Sequence, residues 1–170
     1  MAVAHEFSKR STCTRTSVGA VATLNGRVVS SGWNGTASGM AHCSHSVHTR
    51  CRDAIHSEQN VIYSAARAGI SLLGSVVYTT LSPCYMCALG LIQSGVTRVV
   101  YRDLYRDPSG IDLLRQSGVT VEELDVGELS SNIPAPLPPE LAPPPPNPLY
   151  TVYGPREWLP AEGAWWVQNH

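Results

Sequence analysis

The chain has little charge and almost no lysine. Only 15% of its 170 residues are charged, and eleven arginines stand against a single lysine, Lys9, a ratio that reads as a bias of genome composition rather than of function. The formal net charge is −1 at pH 7, so no basic excess draws a polyanion, and a small substrate suits this balance better than a nucleic acid. Long apolar runs are missing as well. Nothing approaches the ~20 residues that span a bilayer, and the N-terminal "MAVAHEFSKRST" lacks the apolar core of an export signal. A cytoplasmic placement without membrane association is therefore expected. The five cysteines then read as thiolates for metal binding or chemistry rather than as a disulfide framework. What is present in quantity is apolar surface, 43% of residues, enough for one domain with a full core.

Proline is scarce in the first part of the chain and crowded in the last. Eleven of thirteen prolines follow Pro108, most of them in "IPAPLPPELAPPPPNPLY", which favours polyproline II or irregular extended chain. Beyond it, "YTVYGPREWLPAEGAWWVQNH" carries three of the four tryptophans. The expected division is a folded domain over residues 1–126 and a proline- and tryptophan-rich segment over 127–170. That segment either packs back on its own or a neighbouring subunit, or docks a partner.

Within the first part, strand and helix patterns alternate. "VGAVATL" and "RVVSSGW", joined by "NGR", read as a β-hairpin. "HSEQNVIYSAARAG" reads as a helix with Ile62, Ala65 and Ala66 on one face and Gly69 at its end. Then come the strand "SVVYTT", the helix "CYMCALGLIQSG", the strand "TRVVY", the helix "SGIDLLRQSG" and the strand "VTVEEL". A helix between two successive strands implies a parallel crossover. The expectation is an α/β fold: a mixed five-stranded sheet with helices on both faces, in three α/β/α layers.

The chemistry concentrates in two short stretches. "SPCYMC" places Cys84 and Cys87 three apart at a helix N-terminus, where the dipole favours thiolates. Alone, this C-x-x-C also fits a redox pair. "HSEQN" resolves the choice, because His56 adds a third ligand. One histidine and two cysteines leave a fourth zinc position for water, the catalytic arrangement rather than the closed structural one. Glu58, two residues beyond His56, is free to face that open position, and a closed zinc knot would need no such carboxylate.

Together, His56–Ser57–Glu58 and Pro83–Cys84–Tyr85–Met86–Cys87 resemble the signature of the zinc-dependent nucleoside and nucleotide deaminases, with Ser57 where alanine is usual. The resemblance spans residues 10–125 and implies a cytidine deaminase-like domain. It implies one catalytic Zn2+ on His56, Cys84 and Cys87, with Glu58 moving protons between water, the ring nitrogen and the leaving ammonia.

Within that superfamily, the deoxycytidylate deaminases are the nearest match. "GWNG" resembles their substrate-sugar contact, which falls on Asn34. Between Asn34 and His56 lie 21 residues, an insert too long for the related tRNA adenosine deaminases. By resemblance, Cys13 with Cys43, His48 and Cys51 of that insert implies a second, structural Zn2+. "AARAG" places Arg67 at a subunit or effector contact, and "VVYRDLYRD" places Tyr105 at the nucleotide phosphate. The implied activity is hydrolysis of dCMP to dUMP by a homo-oligomer, commonly a hexamer, with dCTP and dTTP as effectors. Two features depart from the pattern: the short segment before Cys13 and the proline–tryptophan segment. The alternatives are a deaminase of 5-substituted dCMP or of tRNA adenosine, or a zinc-binding module without catalysis.

Overall fold

The structure, a computed structural model, describes residues 1–44, 51 and 53–124. His48, the expected domain boundary and the proline–tryptophan segment lie outside these residues. Helix α1 (Ala2–Ser8) is followed by strands β1 (Gly19–Leu24) and β2 (Arg27–Trp33). They pair antiparallel across Asn25–Gly26, both of which adopt the positive φ that a two-residue hairpin turn requires. A small ribbon of β3 (Gly35–Thr36) and β4 (Ala54–Ile55) closes the two ends of the long insert. The chain continues through α2 (Ser57–Arg67), β5 (Val76–Leu81), α3 (Tyr85–Gln93), β6 (Arg98–Asp103), α4 (Ser109–Gln116) and β7 (Thr120–Glu123).

The five long strands form one sheet in the order β2-β1-β5-β6-β7, antiparallel on its first half and parallel from β5 to β7. This is the mixed five-stranded sheet the sequence implies. Two elements were not expected. Helix α1 is seven residues long and the ribbon strands two each, too short to carry a readable period.

Close approach at two glycines fixes the layers. A Cβ on Gly32 would lie 2.7 Å from the Val61 backbone nitrogen, so this face of β2 carries α2. Ala20 is the register partner of Gly32 and shares its face, which puts the adjacent Gly19 on the other one. There a Cβ would strike the backbone of α1 at Ala4 and Ser8. Helix α1 thus covers one face of the sheet and α2 the other. Helix α3 touches both α2 and α4, as expected of successive right-handed crossovers running in one direction. The core between this helix layer and the sheet holds Ala20, Val61, Val77, Leu91, Val99 and Leu114.

Helix α2 differs from its expected face. Ser57, Val61 and Ala65 form the buried stripe at intervals of four, Ile62 is half-buried and Ala66 is exposed. The stripe follows the side that presses on β2, where Ser30 Oγ donates to the Val61 carbonyl at 2.7 Å.

The carboxyl end of β5 leads through Ser82 and Pro83 into α3, and this turn is clamped from the next unit. Ser82 N donates to the Asp103 carbonyl at 2.8 Å, and Tyr105 N donates to Ser82 Oγ at 2.7 Å. Gly110 of α4 packs against the same turn so tightly that a Cβ would collide with the Pro83 carbonyl and sit 2.7 Å from the Cys84 carbonyl carbon. Gly110→Ala should therefore cost about 1–3 kcal/mol in urea unfolding, the usual cost of overpacking, and weaken metal binding at Cys84.

Candidate metal centre and active site

His56 and Cys84 are the N-caps of α2 and α3, both with extended backbone, and Cys87 lies in the first turn of α3. Two helix N-termini from different parts of the chain thus open toward one point. Gln59 steadies the first, its Oε1 accepting from His56 N at 3.2 Å. His56 Nδ1 lies 3.5 Å from Cys84 Sγ and 3.4 Å from Cys87 Sγ, and all three donor atoms fall within 4.8 Å of one another. A tetrahedral zinc with its usual Zn–S and Zn–N bonds separates such donors by about 3.6 Å. The donor set fits the ion in type and in spacing.

The two thiols share their protons unequally. Cys84 is pulled down to about 4, chiefly because the Cys87 thiol donates to it and also by His56. Cys87, fully buried, is pushed up by donating to Cys84 and by burial. The contact thus favours ionisation of Cys84 over Cys87.

Glu58 is 4% exposed, and burial raises its carboxyl above the usual carboxylate range. Its own backbone N–H, the nearby His56 and the Ser57 hydroxyl oppose that shift. Ser57 Oγ donates to Glu58 Oε2 at 2.9 Å. Glu58 and His56 line a cavity of about 380 Å³, within the size range of small-molecule sites.

Asn34 and Tyr105 line this cavity, as expected of substrate contacts. Most of the Asn34 side chain, however, is engaged by the segment before β1. Its Oδ1 accepts from Ser11 Oγ at 2.7 Å and Val18 N at 2.8 Å, while Nδ2 donates to the Thr16 carbonyl at 2.7 Å. One amide N–H remains without a partner among the described residues. Two arginines in the lining, Arg15 and Arg106, were not read from the sequence. Each is a solitary loop arginine with no spacing pattern, and only the fold brings them to one cavity.

Of the second cysteine set, Cys43 Sγ lies 3.2 Å from Cys51 Sγ, and the Cys13 side chain also bonds Cys43. The Cys51 contact raises the Cys43 thiol to about 11. Cys13 and Cys51 also line the main cavity, so this cluster forms part of its wall. Arg67 is exposed in the last turn of α2, at the far end of the helix from His56 and outside the cavity lining.

Residues 1–103 match the cytidine and deoxycytidylate deaminase zinc-binding region. The chain belongs to this family. Among curated relatives of this deaminase, ComE operon protein 2 of Bacillus subtilis (strain 168) is 35% identical over 134 residues, covering 76% of this chain and 71% of its own. The deoxycytidylate deaminase of Enterobacteria phage T4 is 31% identical over 163 residues, covering 70% and 84%. Among solved structures, the dCMP deaminase of cyanophage S-TIM5 in complex with dCMP and dUMP aligns with a TM-score of 0.69 at 39% identity, covering 72% of this chain and 92% of that one.

The unequal thiols give a direct test. In zinc-free protein Cys84 should be alkylated by iodoacetamide while buried Cys87 is spared, as read by mass spectrometry of the peptides. Because the Cys84 thiolate persists until pH falls toward about 4, its labelling should stay nearly flat from neutral into mildly acidic solution and drop only near that value. Added zinc should protect it.

Proposed function

We propose that this protein hydrolyses the 4-amino group of dCMP, giving dUMP and ammonia and so supplying thymidylate synthesis. The observation that carries the reading is a buried carboxylate, Glu58, in the same cavity as a His–Cys–Cys donor set, within a chain related to dCMP deaminases. Zinc bound by His56, Cys84 and Cys87 would supply a water acidified toward neutral pH. Glu58 takes a proton from that water and passes it to ring nitrogen N3, while the water oxygen bonds to C4. The same carboxylate would then take the remaining proton of that oxygen and deliver it to the amine, so that the C4–N bond breaks as the C4 carbonyl forms and ammonia leaves. Burial suits Glu58 to this work, since it raises the carboxyl's proton affinity above that of an ordinary carboxylate.

Arg15, Arg106 and Tyr105 meet the nucleotide phosphate, and the remaining Asn34 N–H meets the sugar. Cationic side chains in the lining of an otherwise near-neutral protein support a monophosphate over a nucleoside. Cys13, Cys43 and Cys51, with His48 as fourth ligand, hold a structural zinc. Cys43 Sγ packed against Cys51 Sγ, with the Cys13 side chain bonded to Cys43, supports that assignment. A further cavity of about 370 Å³ beside Trp33 carries Arg10 and His42 and supports a place for dCTP and dTTP near the "GWNG" loop. A homo-oligomer with Arg67 at a subunit contact, acting in the cytoplasm, completes the reading. Among the described residues no helix is long and apolar enough to cross a membrane.

The decisive experiment measures ammonia release from dCMP, 5-methyl-dCMP, deoxycytidine and an adenosine-containing tRNA stem-loop, with zinc per chain determined on the same sample. Turnover of dCMP in preference to the others, with two zincs per chain, is expected. Glu58→Gln should lower kcat by about a hundredfold or more with zinc retained. Arg15→Gln and Arg106→Gln should each raise KM for dCMP about tenfold, the loss of one hydrogen bond to a charged group, and leave the weak deoxycytidine activity unchanged. Equal rates on dCMP and deoxycytidine would rule out the phosphate assignment.

A further inference from the structure

Ser57 has no step of its own in the chemistry above, and stands where the resembling signature usually carries alanine. Its side chain is fully buried, and the one partner of its hydroxyl among the described residues is the Glu58 carboxylate, at 2.9 Å. An alanine would occupy the same space without a buried hydroxyl to satisfy. The backbone beneath Ser57 is held firmly. It is the first residue of α2, and its carbonyl lies so near Gly32 that a Cβ there would strike it. The same turn is tied to β2 by Ser30 Oγ on the Val61 carbonyl at 2.7 Å and by Asn60 Nδ2 on the Trp33 carbonyl at 2.6 Å. Ser57 Oγ is therefore a fixed donor beside a flexible side chain.

We propose that Ser57 is a positioning residue: its hydroxyl pins Oε2 of Glu58, so that Oε1 is the oxygen presented to water and substrate. The proposal rests on the dCMP deaminase reading, in which Glu58 exchanges protons with both. A glutamate turns about three side-chain bonds, and an unanchored carboxylate divides its time among rotamers of which only some face the reacting atoms. Fixing one oxygen leaves the other in a single place, which favours transfers that depend on short, aligned approach. The anchor also persists through the cycle, because a carboxyl that has gained a proton on Oε1 still offers Oε2 as an acceptor. The two carboxylate oxygens thereby take different tasks, one structural and one chemical.

Ser57→Ala in the zinc-loaded enzyme tests this, since it removes one oxygen atom and should leave the fold intact. The expected result is a kcat about tenfold lower, the rate equivalent of one hydrogen bond to a charged group, with KM for dCMP and zinc per chain unchanged. A second measurement does not depend on turnover. The infrared difference spectrum between enzyme with and without Glu58→Gln isolates the Glu58 carboxylate band, and that band should shift when Ser57→Ala is present. A kcat within about twofold of wild type, against the expected tenfold loss, would overturn the proposal and leave the deaminase reading standing, as would an unshifted band. Loss of zinc alongside the fall in kcat would mark general damage and overturn it too. Wild-type enzyme inactive on dCMP would overturn the deaminase reading, and this proposal with it.

Discussion

The site depends on two helix N-termini held face to face. His56 caps α2 and Cys84 caps α3, each with an extended backbone. The positive ends of both helices therefore meet where two thiolates and a carboxylate must be tolerated. Neither helix could hold this position alone. Helix α2 is fixed by its tight contact with β2 at Gly32, and the cap of α3 by the clamp that Asp103, Tyr105 and Gly110 place on the turn before it. The parallel half of the sheet is what brings those clamping residues alongside, because β5 and β6 end together.

Electrostatics at this point are deliberately unfavourable to the metal-free chain. Burial raises Glu58, donation to Cys84 and burial raise Cys87, and the Cys87 contact lowers Cys84 to about 4. A doubly charged cation changes that balance, since it stabilises both thiolates at once.

The insert between β3 and β4 does more than bridge two strands. It brings Cys43 and Cys51 against Cys13, and Cys13 and Cys51 form part of the cavity wall. Asn34 performs a related task from the other side, spending three of its four hydrogen-bonding positions on the segment that precedes β1. Irregular chain consequently shapes one part of the cavity, while α2, α3 and the end of β5 line the rest.

The primary structure alone determined the donors and their order. Spacing on a single helix is set by local geometry, so a histidine and a glutamate at the start of one helix and two cysteines three apart at the start of another could be read directly. The mixed five-stranded sheet was legible for the same reason, since its strands and helices carry clear periods. Which residues meet across elements was decided only by tertiary packing. Arg15 and Arg106 are unremarkable in sequence and share a cavity because two separate loops converge. Helix α2 buries Val61 rather than Ala66 because β2 has a glycine at the contact. Ser57 stands in the sequence only as a departure from alanine, and the fold alone buries it with its hydroxyl on Glu58. Such contacts depend on distances between elements far apart in the chain, and no local pattern records them.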